Sequence, residues 1–115
     1  MKRIGQFNSR RWGAVIVLRA TYDGPKGPTA IVLQSGSGEP LATLSVNMYR
    51  PECSHDSSEL PPDCFYVKEW AGNEELAADA RRSGMFIERE DLPPASSGWV
   101  SAPVWQIKPT TGAPS

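Results

Sequence analysis

Between Trp12 and Met48, three β-rich apolar runs alternate with two Gly/Pro-rich breaks, and this spacing restricts the fold more than any other feature of the chain. WGAVIVLRAT, residues 12–21, is β-branched and apolar, the composition of a strand buried on at least one face. DGPKGP, 23–28, ends it with turn chemistry. TAIVLQ, 29–34, is the second run, and SGSGEP, 35–40, reads as a Gly-rich hairpin loop. LATLSVNM, 41–48, alternates along one predicted strand. Ala42, Leu44, Val46 and Met48 face one side; Leu41, Thr43, Ser45 and Asn47 face the other. One core side and one more polar side is the pattern of an antiparallel sheet.

The flanking segments fit the same scheme. Arg3 to Phe7 reads as a first strand, and 49–63 as a long polar loop. FYVKEW, 65–70, is a further short strand. Asn73 is placed as a helix N-cap, with Glu74 and Glu75 in the first turn, where the helix dipole favours negative charge. Leu76, Ala77 and Ala80 form a narrow apolar stripe, and Gly84 follows Arg81 and Arg82 as a natural stop. A helix of about ten residues is not stable alone, so its stripe must rest on the sheet. MFIER, 85–89, is predicted as a strand, DLPPASSG, 91–98, as a loop, and 98–107 as a last strand interrupted at Pro103. KPTTGAPS, 108–115, is expected to be a disordered tail. The expected fold class is α+β: a mostly antiparallel β-sheet with one short α-helix packed on it, in a single compact domain over 1–107.

No stretch approaches the ~20 apolar residues of a membrane span. After the basic start, AVIVL is only five residues, short of the ~7–15 of a signal-peptide core. With two cysteines and no such segment, the expected location is the cytoplasm.

The net charge of −1 conceals an asymmetry. Residues 1–50 carry seven Lys/Arg against two acids, a net of +5, and residues 51–115 carry five against eleven, a net of −6. Within 52–79 eight acids face Lys68 alone, a local net of −7. Blocks of this kind serve as solvated faces or interaction surfaces.

PECSHDSSELPPDC, 51–64, holds both cysteines and the only histidine. A zinc reading would use Cys53, His55 and Cys64 with Asp56 or Asp63, but C-x-H-x8-C lacks a second ligand pair and matches no usual structural pattern. A Cys53–Cys64 disulfide would close a short loop. Two unlinked cysteines, with Cys64 at a strand start and at least partly buried, is the plainer alternative. Catalysis has less to stand on. His55 could serve Cys53 or Cys64 as a base only if a third group held it, and a Ser/Asp loop offers none. SGSG precedes a strand and lacks the Lys-Ser/Thr of a phosphate-binding loop. Glu88, Glu90 and Asp91 read as strand-edge charges. The expectation is a non-enzyme with no cofactor, no bound metal and no evident small-molecule substrate.

Two surfaces stand out. The first is acidic. Glu75 and Asp79 lie one turn apart on one helix face beside Glu74, with Glu69 and the loop acids Glu52, Asp56, Glu59 and Asp63 flanking them. Carboxylate clusters pair with Arg and Lys on a partner and speed association. Trp70, Tyr66 and Tyr49 would supply aromatic anchors. The ordinary structural reading is a solvated helix face with Trp70 in the core. The second surface is basic: Lys2, Arg3, Arg10 and Arg11 with Trp12 could contact phosphates and stack on a base. No recognised nucleic-acid motif accompanies them.

GEPLATLSVN at 38–47, FYVKEWAGNEEL at 65–76 and SGWVSAPVWQI at 97–107 together resemble a family of small uncharacterised proteins carried on bacterial phages, plasmids and other mobile elements. That family has a Gly-Glu-Pro turn into an Ala-Thr-Leu-x-Val-Asn strand, then an aromatic-rich strand, an Asn-Glu helix start and a Gly-aromatic-Val-x-x-Pro strand. The match covers roughly 36–107, and 49–62 looks like an insertion. The resemblance implies a mobile-element setting and supplies no catalytic residues. Small acidic proteins in that setting are similar in kind to inhibitors of bacterial defence systems, including anti-CRISPR proteins, an analogy independent of fold. The expected function is therefore a protein that binds a host nucleic-acid-handling complex, of the CRISPR effector type, through its acids. The alternative is a nucleic-acid-binding or regulatory accessory protein that uses Arg10, Arg11 and Trp12.

Overall fold

The computed structural model describes residues 1–50 and 52–109. Four strands, β1 (Lys2–Ser9), β2 (Gly13–Thr21), β3 (Thr29–Ser35) and β4 (Pro40–Thr43), follow one another as an antiparallel meander. The two Gly/Pro breaks are the connections at either end of β3. In the first, Gly27 packs so closely against the Tyr22 carbonyl that no Cβ fits. Pro40 opens β4, an edge strand of this sheet, where a missing N–H is tolerated.

A second antiparallel sheet runs in the order β5 (Ser45–Val46), β6 (Cys64–Val67), β10 (Val104–Ile107), β7 (Phe86–Glu88). Helix α1 spans Glu74–Arg82, and a small hairpin pairs β8 (Ala95–Ser97) with β9 (Val100–Ala102). The α+β class and the single short helix match the sequence reading. Among the described residues no helix is long and apolar enough to cross a membrane.

The predicted strand over 41–48 is divided in two. Its alternation is real, but Leu44 is the corner at which the chain leaves the first sheet for the second. Leu44 N–H donates to the Ile31 carbonyl at 2.9 Å, and its own carbonyl accepts from Lys68 N–H at 2.7 Å, so one residue bonds to both sheets. Next to it, the buried Ser45 hydroxyl accepts from Ile31 N–H at 2.9 Å and bonds the Tyr22 hydroxyl at 2.8 Å. A backbone donor left without a sheet partner at this corner is thereby satisfied.

The first core lies between the sheets. Val15, Val17, Ile31 and Leu33 from the meander meet Phe65, Val67 and Trp105, and the Leu76–Ala77–Ala80 stripe of α1 joins them with Phe7 and Phe86. Phe65, Phe86 and Trp105 form an aromatic triad with centroids 5.5–6.5 Å apart. The second core lies on the other face of the second sheet. Cys64, Tyr66 and Val104 point that way, and Met48, Ala95 and Ala102 cover them, with Cys53, Leu60, Trp70 and Leu92 at the margin. All four residues of β6 are therefore buried.

Two further expectations are corrected and one is extended. Residues 91–98 are not all loop, because Ala95–Ser97 pairs with Val100–Ala102. Residues 52–63 are irregular as expected apart from the 3₁₀ turn at Ser57–Glu59, and their Cys53 and Leu60 pack against the second core. Asn73 precedes α1 but makes no side-chain cap; its amide donates instead to the Thr43 carbonyl at 2.8 Å, tying the helix start to the end of β4. Of the expected tail, 110–115 lies outside the described residues, and Lys108 N–H donates to the Met85 carbonyl at 2.9 Å.

Candidate functional site

Residues 52–63 are tied down at Ser54 and Ser57. Ser57 is buried and exchanges two bonds with Met48: Ser57 N–H donates to the Met48 carbonyl at 2.9 Å, and Met48 N–H donates to the Ser57 hydroxyl at 2.7 Å. Ser57–Glu59 is a single 3₁₀ turn with a reciprocal cap: Asp56 accepts from Ser58 N–H, and Glu59 accepts from Asp56 N–H. The Ser58 hydroxyl and N–H, with Arg50 N–H, draw the Asp56 carboxyl below its ordinary pKa. Ser54 N–H donates to the Ser96 carbonyl at 2.9 Å, and Ser96 N–H donates to the Ser54 hydroxyl at 2.8 Å. Ser54 thus ties the segment to β8.

That hairpin presents a feature absent from the sequence reading. Ser97 pairs with Val100, leaving Gly98-Trp99 as a two-residue turn with Gly98 at φ +60°. Trp99 at its tip is fully exposed, at 104%. The expected strand over 98–107, interrupted at Pro103, starts only at Val100; the Ser-Gly pair before Trp99 is the turn signal in the sequence. Tyr49, half exposed, stands on the segment that the hairpin docks. A second turn lies at Trp70–Asn73. Asn73 N–H donates to the Trp70 carbonyl at 3.2 Å, and Ala71 (φ +55°) and Gly72 (φ +93°) both take left-handed conformations. Alanine there carries a cost of about 1–2 kcal/mol. Trp70 is half-buried at the margin of the second core, with Glu69 exposed beside it.

The nine residues singled out for partner binding fall into distinct groups. Glu52, Glu69 and Glu74 are exposed and have no ion-pair partner among the described residues. Glu74 also accepts from Gly72 N–H at 2.9 Å. Asp56 is committed to its cap. Glu59 pairs with Arg50 at 3.3 Å, Asp63 with Arg19 at 2.6 Å and Glu75 with Arg11 at 3.4 Å. Asp79 is 6% exposed and bound by Arg82, so it does not stand beside Glu75 on an open face. Trp70 is neither fully in the core nor fully free. Tyr66 is buried in the second core, which raises its hydroxyl pKa, and is no surface anchor.

The basic residues do not form one patch. Lys2 pairs with Arg19 at one end of the β1–β2 hairpin and Ser9 with Gly13 at the other. Lys2 and Arg3 therefore lie roughly 20 Å from the Arg10–Trp12 turn, at about 3.4 Å per residue. At that turn Arg11 lies over the Trp12 ring, 5.0 Å from its centroid, while pairing with Glu75.

Cys53 and Cys64 are free thiols. Among the described residues no three of His, Cys, Asp and Glu gather where they could hold a metal ion. Arg89 grips Asp91 with two bonds at 2.8 and 2.9 Å and reaches Gln106 at 2.7 Å. This fork draws the Asp91 pKa down to about 2. The Arg89 guanidinium also contacts the Cys64 sulfur at 3.8 Å, yet burial dominates and pushes the thiol pKa up. That is the opposite of what a nucleophile needs.

No protein-family model, curated protein or solved structure matches the chain. The resemblance to mobile-element proteins rests on its sequence motifs alone.

Proposed function

We propose that the protein is a non-enzymatic binding module that docks on a basic surface of a nucleic-acid-handling protein complex. One observation carries this reading. Loop 52–60, Trp70 and the β8–β9 hairpin all pack on one small core, and from these segments and the turn that leads into α1 project the exposed Glu52, Glu69, Glu74 and Trp99. Rigid aromatic anchors ringed by polar groups are the usual energetic centre of an interface. Carboxylates without an internal ion pair suit a partner's Lys and Arg and raise the association rate. Asp56 and Glu59 would shape the loop, and Asp63, Glu75 and Asp79 would hold the fold.

The mobile-element setting makes host defence machinery, a CRISPR effector in the bacterial cytoplasm, the partner class. Occupation of its nucleic-acid channel would block target binding. The test is competition: purified effector–guide complexes are titrated with the protein, and capture of labelled target DNA is read. DNA displacement that saturates with protein and weakens as salt rises is the expected result. Target capture that is indifferent to the protein across effector types would overturn the assignment.

A further inference from the structure

On the opposite end of the molecule from the Arg10–Trp12 turn, a cavity of about 520 Å³ opens where β1 begins and β2 and β10 end. Its apolar lining includes Ile4, Met85, Ile107 and Pro109; its charged lining is Lys2, Arg3, Arg19 and Lys108 with the acid Asp63. Lys2, Arg3 and Lys108 have no acidic partner among the described residues. Arg19 is held by Asp63, whose backbone is left-handed (φ +67°) and whose carbonyl accepts from Ile107 N–H at 2.9 Å.

Two backbone features build this groove. The β1–β2 register slips between Arg3 and Gly5, leaving Ile4 as a bulge. A regular strand would send Lys2 and Ile4 to one face and Arg3 to the other, yet all three line the cavity. Bulges re-aim side chains in this way beside binding sites. Gly5 then leaves room for Met85: a Cβ at Gly5 would lie 2.5 Å from Met85 Cε.

From this geometry we infer a binding site for a mononucleotide, independent of the acidic frame described above. The cavity volume is that of a small-molecule site. The cations at its mouth suit a phosphate group. The Met85 thioether with Ile4 and Ile107 suits the face of a base, since sulfur packs well on aromatic rings. Neither half alone would hold a ligand well.

The test is two-dimensional amide NMR of the full chain titrated separately with AMP, adenosine and inorganic phosphate. AMP is expected to shift Ile4, Met85 and Lys108 amides saturably. Adenosine and phosphate are each expected to bind at least about tenfold more weakly. Arg3→Glu with Lys108→Glu, both exposed and away from the core, should abolish AMP shifts while leaving the rest of the spectrum in place. Absence of saturable AMP shifts overturns the site. Adenosine as tight as AMP removes the role of the cations, and phosphate as tight as AMP removes the base pocket; either overturns the proposal. A response to a single-stranded oligonucleotide but not to AMP would reassign the groove to a nucleic-acid backbone and overturn it equally.

Discussion

Arg19 Nη1 lies 2.6 Å from Asp63 Oδ1, so a cation from β2 is held by an acid at the start of β6. Arg11–Glu75 and Arg50–Glu59 repeat the pattern. Each joins the basic half of the chain to the acidic half, and Arg82 adds a fourth pair with Asp79. Four arginines set against the local net of −7 leave −3. Part of the charge division in the sequence is neutralised within the fold, and the acids of 52–79 without an ion pair or a cap are Glu52, Glu69 and Glu74.

Reversal of charge should therefore separate two kinds of acid. Asp79→Lys puts an unpaired cation at a buried position beside Arg82 and should cost at least about 3 kcal/mol. Glu69→Lys with Glu74→Lys, both exposed, should change stability by no more than about 1 kcal/mol. Urea unfolding of the two variants measures the difference. Equal losses would mean that Asp79 is not buried.

Removal of one hydroxyl should loosen the corner between the sheets. Ser45→Ala strands the Ile31 N–H and the Tyr22 hydroxyl, at an expected cost of about 1–3 kcal/mol. Accelerated hydrogen exchange at Ile31, with slow exchange preserved at β10, would locate the effect.

The two thiols should react unequally. Cys64 is buried with a raised pKa, and Cys53 is half-buried at the margin of the second core. Iodoacetamide at neutral pH should modify Cys53 first, with Cys64 protected until the protein unfolds. Mass spectrometry of the tryptic peptides after timed quenching reads the order.

Asp91 gives the fold a carboxylate that resists acid. Its folded pKa of about 2 lies below the ordinary 3.8. The stability it contributes is therefore complete above the ordinary value and is lost as pH falls through about 2. Carboxyl chemical shifts of Asp91 should titrate near that value and return towards 3.8 in Arg89→Ala.

Strand positions, the helix and the fold class were legible because hydrophobic periodicity and Gly/Pro breaks are local signals. The sheet switch at Leu44 was not, since a corner keeps the same alternation as a straight strand and is fixed by long-range bonds of Leu44 and Ser45 to Tyr22, Ile31 and Lys68. Nor did the polar composition of 49–63 disclose that Cys53 and Leu60 pack against a second core. The acids could be counted from sequence, but the arginine partners of Asp63 and Glu75 lie more than forty residues away along the chain. Trp99 hid at the start of the strand expected over 98–107, and the groove beneath Lys2 and Lys108 joins the two ends of the described chain.

The central claim is that the Trp99 frame is the docking surface. It is tested most directly by the affinity of Trp99→Ala, of the Glu69→Lys and Glu74→Lys double variant, and of Arg10→Glu for the effector complex that the wild-type protein binds. Biolayer interferometry at fixed salt measures all three. The first two should each weaken binding about 30-fold or more, the loss of a hot-spot contact of at least about 2 kcal/mol, with Arg10→Glu near wild type. Wild-type affinity in the first two, or loss only in Arg10→Glu, would contradict the account.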